Sequence, residues 1–417
     1  MRTISLEPQK KTISPHVFIR LTQLKQGYLL PGLTSIVLPD GNSSEATYLF
    51  VILSPHLKSV ELNGSVIRDK RLYLPYLSAL ATESPMFQRL CLRGTTSVDI
   101  GHVLRFKFLR ILELELPDTY IFPNILEGIG DLEDLVELKL HGGAPSPIST
   151  PSTSFDITQL IGDVRKHRRF RQLKIIHVIG RLSSLAPLLQ QMDLVSLSSA
   201  IIEELPDASN VPTSSFWTSC FHSLSSSQAL ESIRIEQSPT RSSGNGALCL
   251  TVQHLSPLFG LQDITSLIVT NASFSGTDAD FAHLLSAFPF LETLELPAMH
   301  QTDSPSFKSV SHLSLHSSHI KTLKVCVTST GNKDQLMSEL DAVVFPRKHT
   351  HPLKDLQISS GLGQLSYSEI ICVARYLDRA FPSLQLLQGY GSRATSESWG
   401  QVQEFRVALQ DARRGAI

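Results

Sequence analysis

Few residues of this chain have the type to do chemistry, and their spacing decides between catalysis and recognition. His312, His316 and His319, and separately His349 and His351, lie close enough in sequence to suggest a metal site. Histidines two apart on a strand share a face. Yet no cysteine or carboxylate set completes either group at a known ligand spacing, so loop and surface histidines are expected and no metal. Cys91 and Cys326 could act as nucleophiles only beside a base, and no histidine–carboxylate constellation can be assigned to either; inert thiols are expected. Gly361-Leu-Gly363 lacks the third glycine of a dinucleotide-binding turn. Neither G-x-x-x-x-G-K-S/T nor G-x-S-x-G occurs. No catalytic residue, no cofactor and no enzymatic activity is expected.

Recognition is the other chemistry on offer. Charged side chains recur at alternate positions, which on a strand point to one face. They include Arg89, Glu137, His312, Lys324 and Asp355. Eleven more are predicted to line a partner-binding face: Glu61, Arg93, Glu113, Glu115, Lys139, His141, Lys174, Arg234, Glu236, Glu295 and His316. Both signs are interspersed, which suits a specific protein partner better than a phosphate backbone. The net charge of -1 calls for neither nucleic acid nor an anionic membrane surface.

The elements that must position these residues are written in a recurring pattern. It reads Leu57-x-x-Val60-x-Leu62, Phe87-x-x-Leu90-x-Leu92, Leu109-x-x-Leu112-x-Leu114, Leu135-x-x-Leu138-x-Leu140 and Leu230-x-x-Ile233-x-Ile235. It continues as Ile264-x-x-Leu267-x-Val269, Leu291-x-x-Leu294-x-Leu296, Val310-x-x-Leu313-x-Leu315 and Leu353-x-x-Leu356-x-Ile358. Each copy alternates apolar and polar residues, so each is a short strand with one buried face. A lone strand cannot bury that face, but stacked neighbours can. The chain therefore reads as an α/β fold, an irregular leucine-rich-repeat solenoid with a concave parallel sheet and outer helices. Phe170-x-x-Leu173-x-Ile175 is read as a further copy, and Leu194-Val-Ser-Leu197 as a weak one. Leu313 and Leu323 are too close for two full units, so one of those two strands is misassigned or hairpin-like.

Helical segments alternate with the strands. Thr277 begins one as N-cap, with Asp280 at the capping-box position, Phe281, Leu284, Leu285 and Phe288 on one face, and Pro289 as the stop. Ser366 and Glu369 open another, with Ile370, Val373, Leu377 and Phe381 as its stripe. A third carries Phe155, Leu160, Ile161 and Val164. Predicted boundaries are an N-terminal capping segment over 1–32, the solenoid over 33–390 with polar loops near 142–154 and 238–246, and a capping helix over 391–417. Trp399, Val402, Phe405 and Leu409 give that helix its apolar side. Arg165-Lys-His-Arg-Arg-Phe-Arg171 reads either as a nuclear-import signal or small anion dock, or as a helix end whose cations complement the dipole. Ser146, Thr150 and Ser238 precede prolines in the loops and are candidate phosphorylation sites.

The lead-in to each strand carries a resemblance. Leu30-Pro-Gly-Leu33-Thr-Ser-Ile36, Leu53-Ser-Pro-His-Leu57-Lys-Ser-Val60, Ser84-Pro-Met-Phe87-Gln-Arg-Leu90 and Phe288-Pro-Phe-Leu291-Glu-Thr-Leu294 resemble the leucine-rich-repeat region of fungal, mushroom-type F-box proteins, over roughly residues 20 to 390. The resemblance implies a substrate-recognition arm that holds a protein for ubiquitin transfer. In the family an N-terminal F-box docks on a Skp-type adaptor of a cullin ligase. No L-P-x-E-(I/L/V) opening of an F-box is found, and the first leucine-rich strand already begins near Leu33. A Skp-type adaptor and cullin are expected partners only if an F-box lies outside this sequence. The alternative is a stand-alone leucine-rich scaffold with no ubiquitin role.

Charged residues make up only 18% of the chain, below the roughly one quarter usual for soluble domains, as fits an interior running the whole length. The five cysteines are odd in number and never spaced C-x-x-C, so reduced thiols in cytosol or nucleus are expected. The opening MRTISLEPQKKTISPH lacks a signal-peptide core, and no run approaches the roughly 20 apolar residues of a membrane helix.

Overall fold

A computed structural model describes residues 3–5, 17, 20, 27–38, 49–94, 100–117, 123–142, 170–205, 214–237, 249–271, 273–296, 305–327, 337, 340, 345, 350–360, 365–390 and 393–415. The chain divides into two units, Met1–Asp207 and Ala208–Ile417.

In the first unit eight strands pair in sequence order, all parallel: β1 (Thr3–Ser5), β2 (Ser35–Leu38), β3 (Ser59–Asn63), β4 (Arg89–Arg93), β5 (Ile111–Leu116), β6 (Glu137–Gly142), β7 (Ile175–Gly180) and β8 (Ser199–Glu204). The register stacks the pattern residues directly. Ile36, Val60, Leu90, Leu112, Leu138, Ile176 and Ala200 form one row; Leu38, Leu62, Leu92, Leu114, Leu140, Val178 and Ile202 form the next. Every member of both rows is buried. A fully buried aliphatic side chain is worth roughly 1.5–3 kcal/mol, so two such rows make the repeats hold one another rather than fold alone.

In the second unit the main sheet runs β9 (Ser232–Gln237), β11 (Ser266–Thr270), β13 (Thr293–Glu295), β14 (Thr322–Val327), β15 (Asp355–Ser360) and β16 (Leu386–Gly389), again parallel. A separate parallel pair joins β10 (Cys249–Thr251) to β12 (Ser273–Ser275). Helices lie between successive strands, on the buried side of the sheet. The clearest are Asp278–Ala287 and Tyr367–Ala380. Their capping boxes form as the sequence predicts: Thr277 N–H donates to Asp280 Oδ2 at 2.9 Å, and Ser366 N–H to Glu369 Oε2 at 2.6 Å. In each unit this is the architecture of an α/β leucine-rich-repeat solenoid.

One backbone device repeats throughout. In most repeats the residue just before the strand offers its carbonyl to two successive N–H groups of the next repeat. Lys58 O accepts from Gln88 N at 3.0 Å and Arg89 N at 2.9 Å, Gln88 O from Arg110 and Ile111, and Arg110 O from Val136 and Glu137. Val136 and Lys174 continue the series in the first unit, and Glu231, Thr265, Glu292, Lys321 and Lys354 carry it through the second. The spacing between these acceptors varies from 22 residues (Gln88 to Arg110) to 38 (Val136 to Lys174).

At β16 the series would leave Gln385 O without a following repeat. Side chains of the helix Arg393–Gly415 take that place. Gln403 Nε2 donates to Gln385 O at 3.1 Å and Arg406 Nη2 at 3.4 Å, while Arg406 Nη1 donates to Leu384 O at 2.7 Å. Arg406 is wholly buried. The pattern bends to admit this helix: Leu384-x-x-Leu387 is followed two residues on by Gly389, where a Cβ would lie 2.7 Å from Trp399 Cδ1. A buried carbonyl left without a donor costs about 1–3 kcal/mol, so a helix that only covered apolar surface would not suffice here.

Four expectations shift. The copy Val310-x-x-Leu313-x-Leu315 is the helix Phe307–His316, and the strand is Thr322–Val327. Apolar residues three apart fit either element; Leu315 decides it, since a strand would bury it and it is 48% exposed. The copy at Phe170 is out of frame by three: Leu173-x-x-Ile176-x-Val178 is the strand, and Phe170 sits in the preceding turn at φ 64°. Leu194–Leu197 is likewise the turn ahead of β8, whose pattern is Leu197-x-x-Ala200-x-Ile202. His351 is not a surface histidine. It is buried against Phe381, and its Nδ1 accepts from Leu353 N at 3.2 Å. The predicted helix around Leu160, the basic run Arg165–Arg169, His349, and Ser146, Thr150 and Ser238 lie outside the described residues.

Candidate binding face

Alternation sends every second residue of the strands away from the core. In the first unit these residues also stack in register. Glu61, Cys91, Glu113, Lys139, His177 and Ile201 make one row; Asn63, Arg93, Glu115, His141, Ile179 and Glu203 make the next. Six of the predicted face residues, Glu61, Arg93, Glu113, Glu115, Lys139 and His141, are thus brought together on four adjacent strands.

Five of them, all but His141, join Arg89 in one ionic network. Arg93 is its hub: Nη1 lies 2.7 Å from Glu61 Oε1, Nη2 3.4 Å from Glu113 Oε2 and Nε 3.2 Å from Glu115 Oε2. Arg89 Nη2 holds the other Glu113 oxygen at 2.6 Å, and Lys139 Nζ holds Glu115 Oε1 at 2.7 Å. Burial would raise the Glu115 carboxyl, but the Lys139 hydrogen bond and charge, then Arg93 and His141, hold it below the usual carboxylate range. His141 is lowered, by burial first, with partial compensation from Glu115 and Glu203. Under this canopy Cys91 is buried, and its Sγ–H faces Glu113 Oε2 at 3.6 Å. Burial and then the Glu113 charge push its thiol up to about 12, so no thiolate nucleophile forms at neutral pH.

The network consumes most of the face's charge. Among the described outward residues of β3–β8 stand the carboxylates Glu61, Glu113, Glu115, Glu137 and Glu203, against the cations Arg89, Arg93 and Lys139. Five against three leaves a surplus of two negative charges. Glu137 feels Arg89 only through longer-range attraction. Glu203 Oε2 lies 3.7 Å from His177 Nε2, a pair that is ionic only when the imidazole is protonated. Near these two acids β7 and β8 place half-buried Ile175 and Ile201 and buried Ile179, with His177 between the two isoleucines of β7.

In the second unit Arg234 and Glu236 are paired on β9. The register places Ile268 between Arg234 and Glu295, and Lys324 on the far side of Glu295. Lys324 Nζ stands 5.2 Å over the Tyr390 ring, whose hydroxyl is raised by burial. Three predicted residues, Lys174, His312 and His316, leave the face. Lys174 precedes β7 and belongs to the carbonyl series. His316 ends the helix Phe307–His316 with its ring 4.3 Å from His312, whose imidazole is lowered by burial and by His316. His177 and Ile179 were missed because the strand frame at Phe170 was three residues early, and Glu203 because the frame at Leu194 was early by the same amount. Among the described residues no group of three or more histidine, cysteine or carboxylate side chains could hold a metal ion. No described helix is long and apolar enough to cross a membrane.

No protein-family model matches this chain, and no curated protein matches its sequence. Among solved structures it is similar to the leucine-rich-repeat-containing protein LegL7 of Legionella pneumophila, at 11% identity and TM-score 0.31, covering 97% of this chain and 98% of that one. It is also similar to a leucine-rich-repeat protein of Leptospira interrogans, at 15% identity and TM-score 0.46, covering 91% and 82%. A third likeness is to the yeast Rad7 and Elc1 complex, at 12% identity and TM-score 0.38, covering 92% and 84%.

Proposed function

We propose that this chain is a protein-binding module that works by holding a partner on the outward face of its parallel strands. One observation carries the reading. In the first unit the outward side chains of β3–β8 stack in register into a continuous surface of paired charges beside isoleucines. Side chains fixed by two backbone neighbours and by ion pairs lose little freedom on binding, which lowers the cost of association. Mixed signs then select a partner whose charges complement them. Chemistry, in this reading, is left to another component.

The narrower proposal follows from the resemblance of the strand lead-ins: the chain is a substrate-recognition arm of a cullin-type ubiquitin ligase. The test is affinity purification of the tagged, full-length protein beside an Arg93→Glu/Lys139→Glu variant, with mass spectrometry of both. Recovery of a Skp-type adaptor and a cullin with both proteins, and of further proteins with the wild type alone, is expected. Loss of adaptor and cullin with retention of the face-dependent proteins would leave a scaffold. Identical recoveries from both proteins would sink the face.

A further inference from the structure

We propose that this chain associates with a second copy of itself. A basic, apolar stretch of the rim where the strands of the first unit begin docks on an acidic, aromatic hollow at the corresponding rim of another copy's second unit. None of the residues involved is an outward strand residue, so the proposal goes beyond the protein-binding reading and stands apart from it.

Many strands are entered through a tight turn whose tip meets solvent. In the first unit Phe87 N–H closes such a turn on Ser84 O and Leu109 N–H closes another on Phe106 O, each at 3.2 Å. The tip residues Met86 and Phe108 are 51% and 43% exposed. Gln88 O joins these two repeats, so the two tips stand on neighbouring turns, about 4.8 Å apart at the backbone. Lys107 shares the second tip, and Lys58 and Arg110 hold equivalent places in the repeats on either side of Gln88. All three cations are exposed and, among the described residues, none has an ion-pair partner. Glu133 and Asp134 in the next turn end the positive stretch.

The second unit carries the opposite sign at the same kind of turn. Leu291 N–H donates to Phe288 O at 3.2 Å, and the tip residue Phe290 is 47% exposed, its ring edge-on to His319 at 5.5 Å. Phe290 lines a hollow of about 390 Å³ with Ala229, Glu231, Asp263 and Thr265. Glu231 and Asp263 are exposed and have no ion-pair partner among the described residues. The neighbouring acid Glu292 is already held by Lys321 at 2.6 Å.

Each patch lacks what the other carries. A single exposed apolar residue needs no explanation. Two on adjacent turns beside unpaired cations, and an aromatic hollow beside unpaired carboxylates, are complementary in both polarity and sign. A thioether or a phenyl ring is a good neighbour for the Phe290 ring, and the lysine and arginine stems can lie on apolar surface while their heads reach Glu231 and Asp263. A second copy brings both patches at the chain's own concentration. Because the patches differ, the contact is head-to-tail, and a dimer or a longer assembly satisfies it.

The experiment is sedimentation velocity of the full-length protein over a series of concentrations, at low and at high salt. The wild type should pass from monomer to dimer or larger species as concentration rises, and less readily at high salt. Glu231→Lys/Asp263→Lys and Lys58→Glu/Arg110→Glu should each associate about tenfold more weakly or worse, since like charges then meet. The milder Glu231→Gln/Asp263→Asn should lose less. Mixing the two reversed variants, each checked for folding by far-ultraviolet circular dichroism, should restore association, because each offers the sign the other lacks. A wild type that stays monomeric throughout, association indifferent to the reversals, or reversed variants that do not recover on mixing overturn the proposal and leave the protein-binding reading standing. Should a reversal unfold the chain, the Gln/Asn variant decides: association as strong as that of the wild type overturns the proposal.

Discussion

Replacing Arg93 by methionine tests whether the outward ion pairs are structural. Arg93, on β4, touches Glu61 on β3 and Glu113 and Glu115 on β5. Its own side chain is 39% exposed, while that of Glu113 is only 9% exposed. Exposed pairs are worth about 0.2–1 kcal/mol each, and stranding a buried partner costs about 3–5 kcal/mol. Glu113 keeps Arg89 and Glu115 keeps Lys139, so the loss falls between these limits, at about 2 kcal/mol for three contacts and the carboxylate repulsion they had offset. For a unit of this size that is a fall of roughly 4–8 °C in Tm. The unfolding should be followed by circular dichroism and by amide exchange of β4 and β5. Tryptophan fluorescence is the wrong probe, because both tryptophans, Trp217 and Trp399, lie in the second unit. The Glu115 carboxyl is lowered in the folded chain, so its contribution is full above the unfolded pKa of about 4.3 and fades as pH falls through the lower folded value. The gap between wild type and variant should narrow over that same window, and at high salt. A loss below about 0.5 kcal/mol, or a gap indifferent to pH, would show a solvated surface with no hub.

Other outcomes test other joints. Gly389→Leu should restore the repeat pattern yet destabilise by about 1–3 kcal/mol through collision with Trp399; urea unfolding followed by tryptophan fluorescence reads it, and an unchanged midpoint refutes the close approach. Gln403→Ala removes one donor to Gln385 O and should cost about 1 kcal/mol in the same assay. Leu112→Ala, in the fully buried row, should cost about 2–5 kcal/mol. Cys91 should resist iodoacetamide at neutral pH and react once urea unfolds the chain, as its raised thiol requires; rapid native labelling would contradict its burial.

How much of this was legible in the sequence depended on what each residue must do. Eight of the nine pattern copies are strands, because alternation of large aliphatics leaves a strand with one buried face few alternatives. The failures are instructive. Ala200 fills a core position of β8 too modestly to be seen, so the pattern looked absent there. Val310 and Leu313 satisfy both periodicities, and only the exposure of Leu315 separates them. Gly389 breaks the pattern for a reason that lies in Trp399, ten residues on and on another element. The outward charges were legible as a set, while their pairing was not. Pairing needs the register across strands, and frame errors of three residues at Phe170 and at Leu194 hid His177 and Glu203, the first of them putting Lys174 on the face instead.

The carbonyl series has a consequence for how such a chain can change. The backbone part of each such junction is the same, one acceptor and two N–H donors, while specific side chains such as Arg93 are added to it at some junctions only. The backbone part carries no lock and key. Duplication or loss of an interior repeat leaves an identical backbone joint behind, and a connecting segment can lengthen, as between Val136 and Lys174, without disturbing it. At Gln385 O, Gln403 and Arg406 stand in for a neighbour's N–H groups by side chain, so that joint is written in specific residues. Inheritance could therefore edit the interior of this protein by whole words, and rewrite what its outward face says, while one short signature marks the place where the sentence stops.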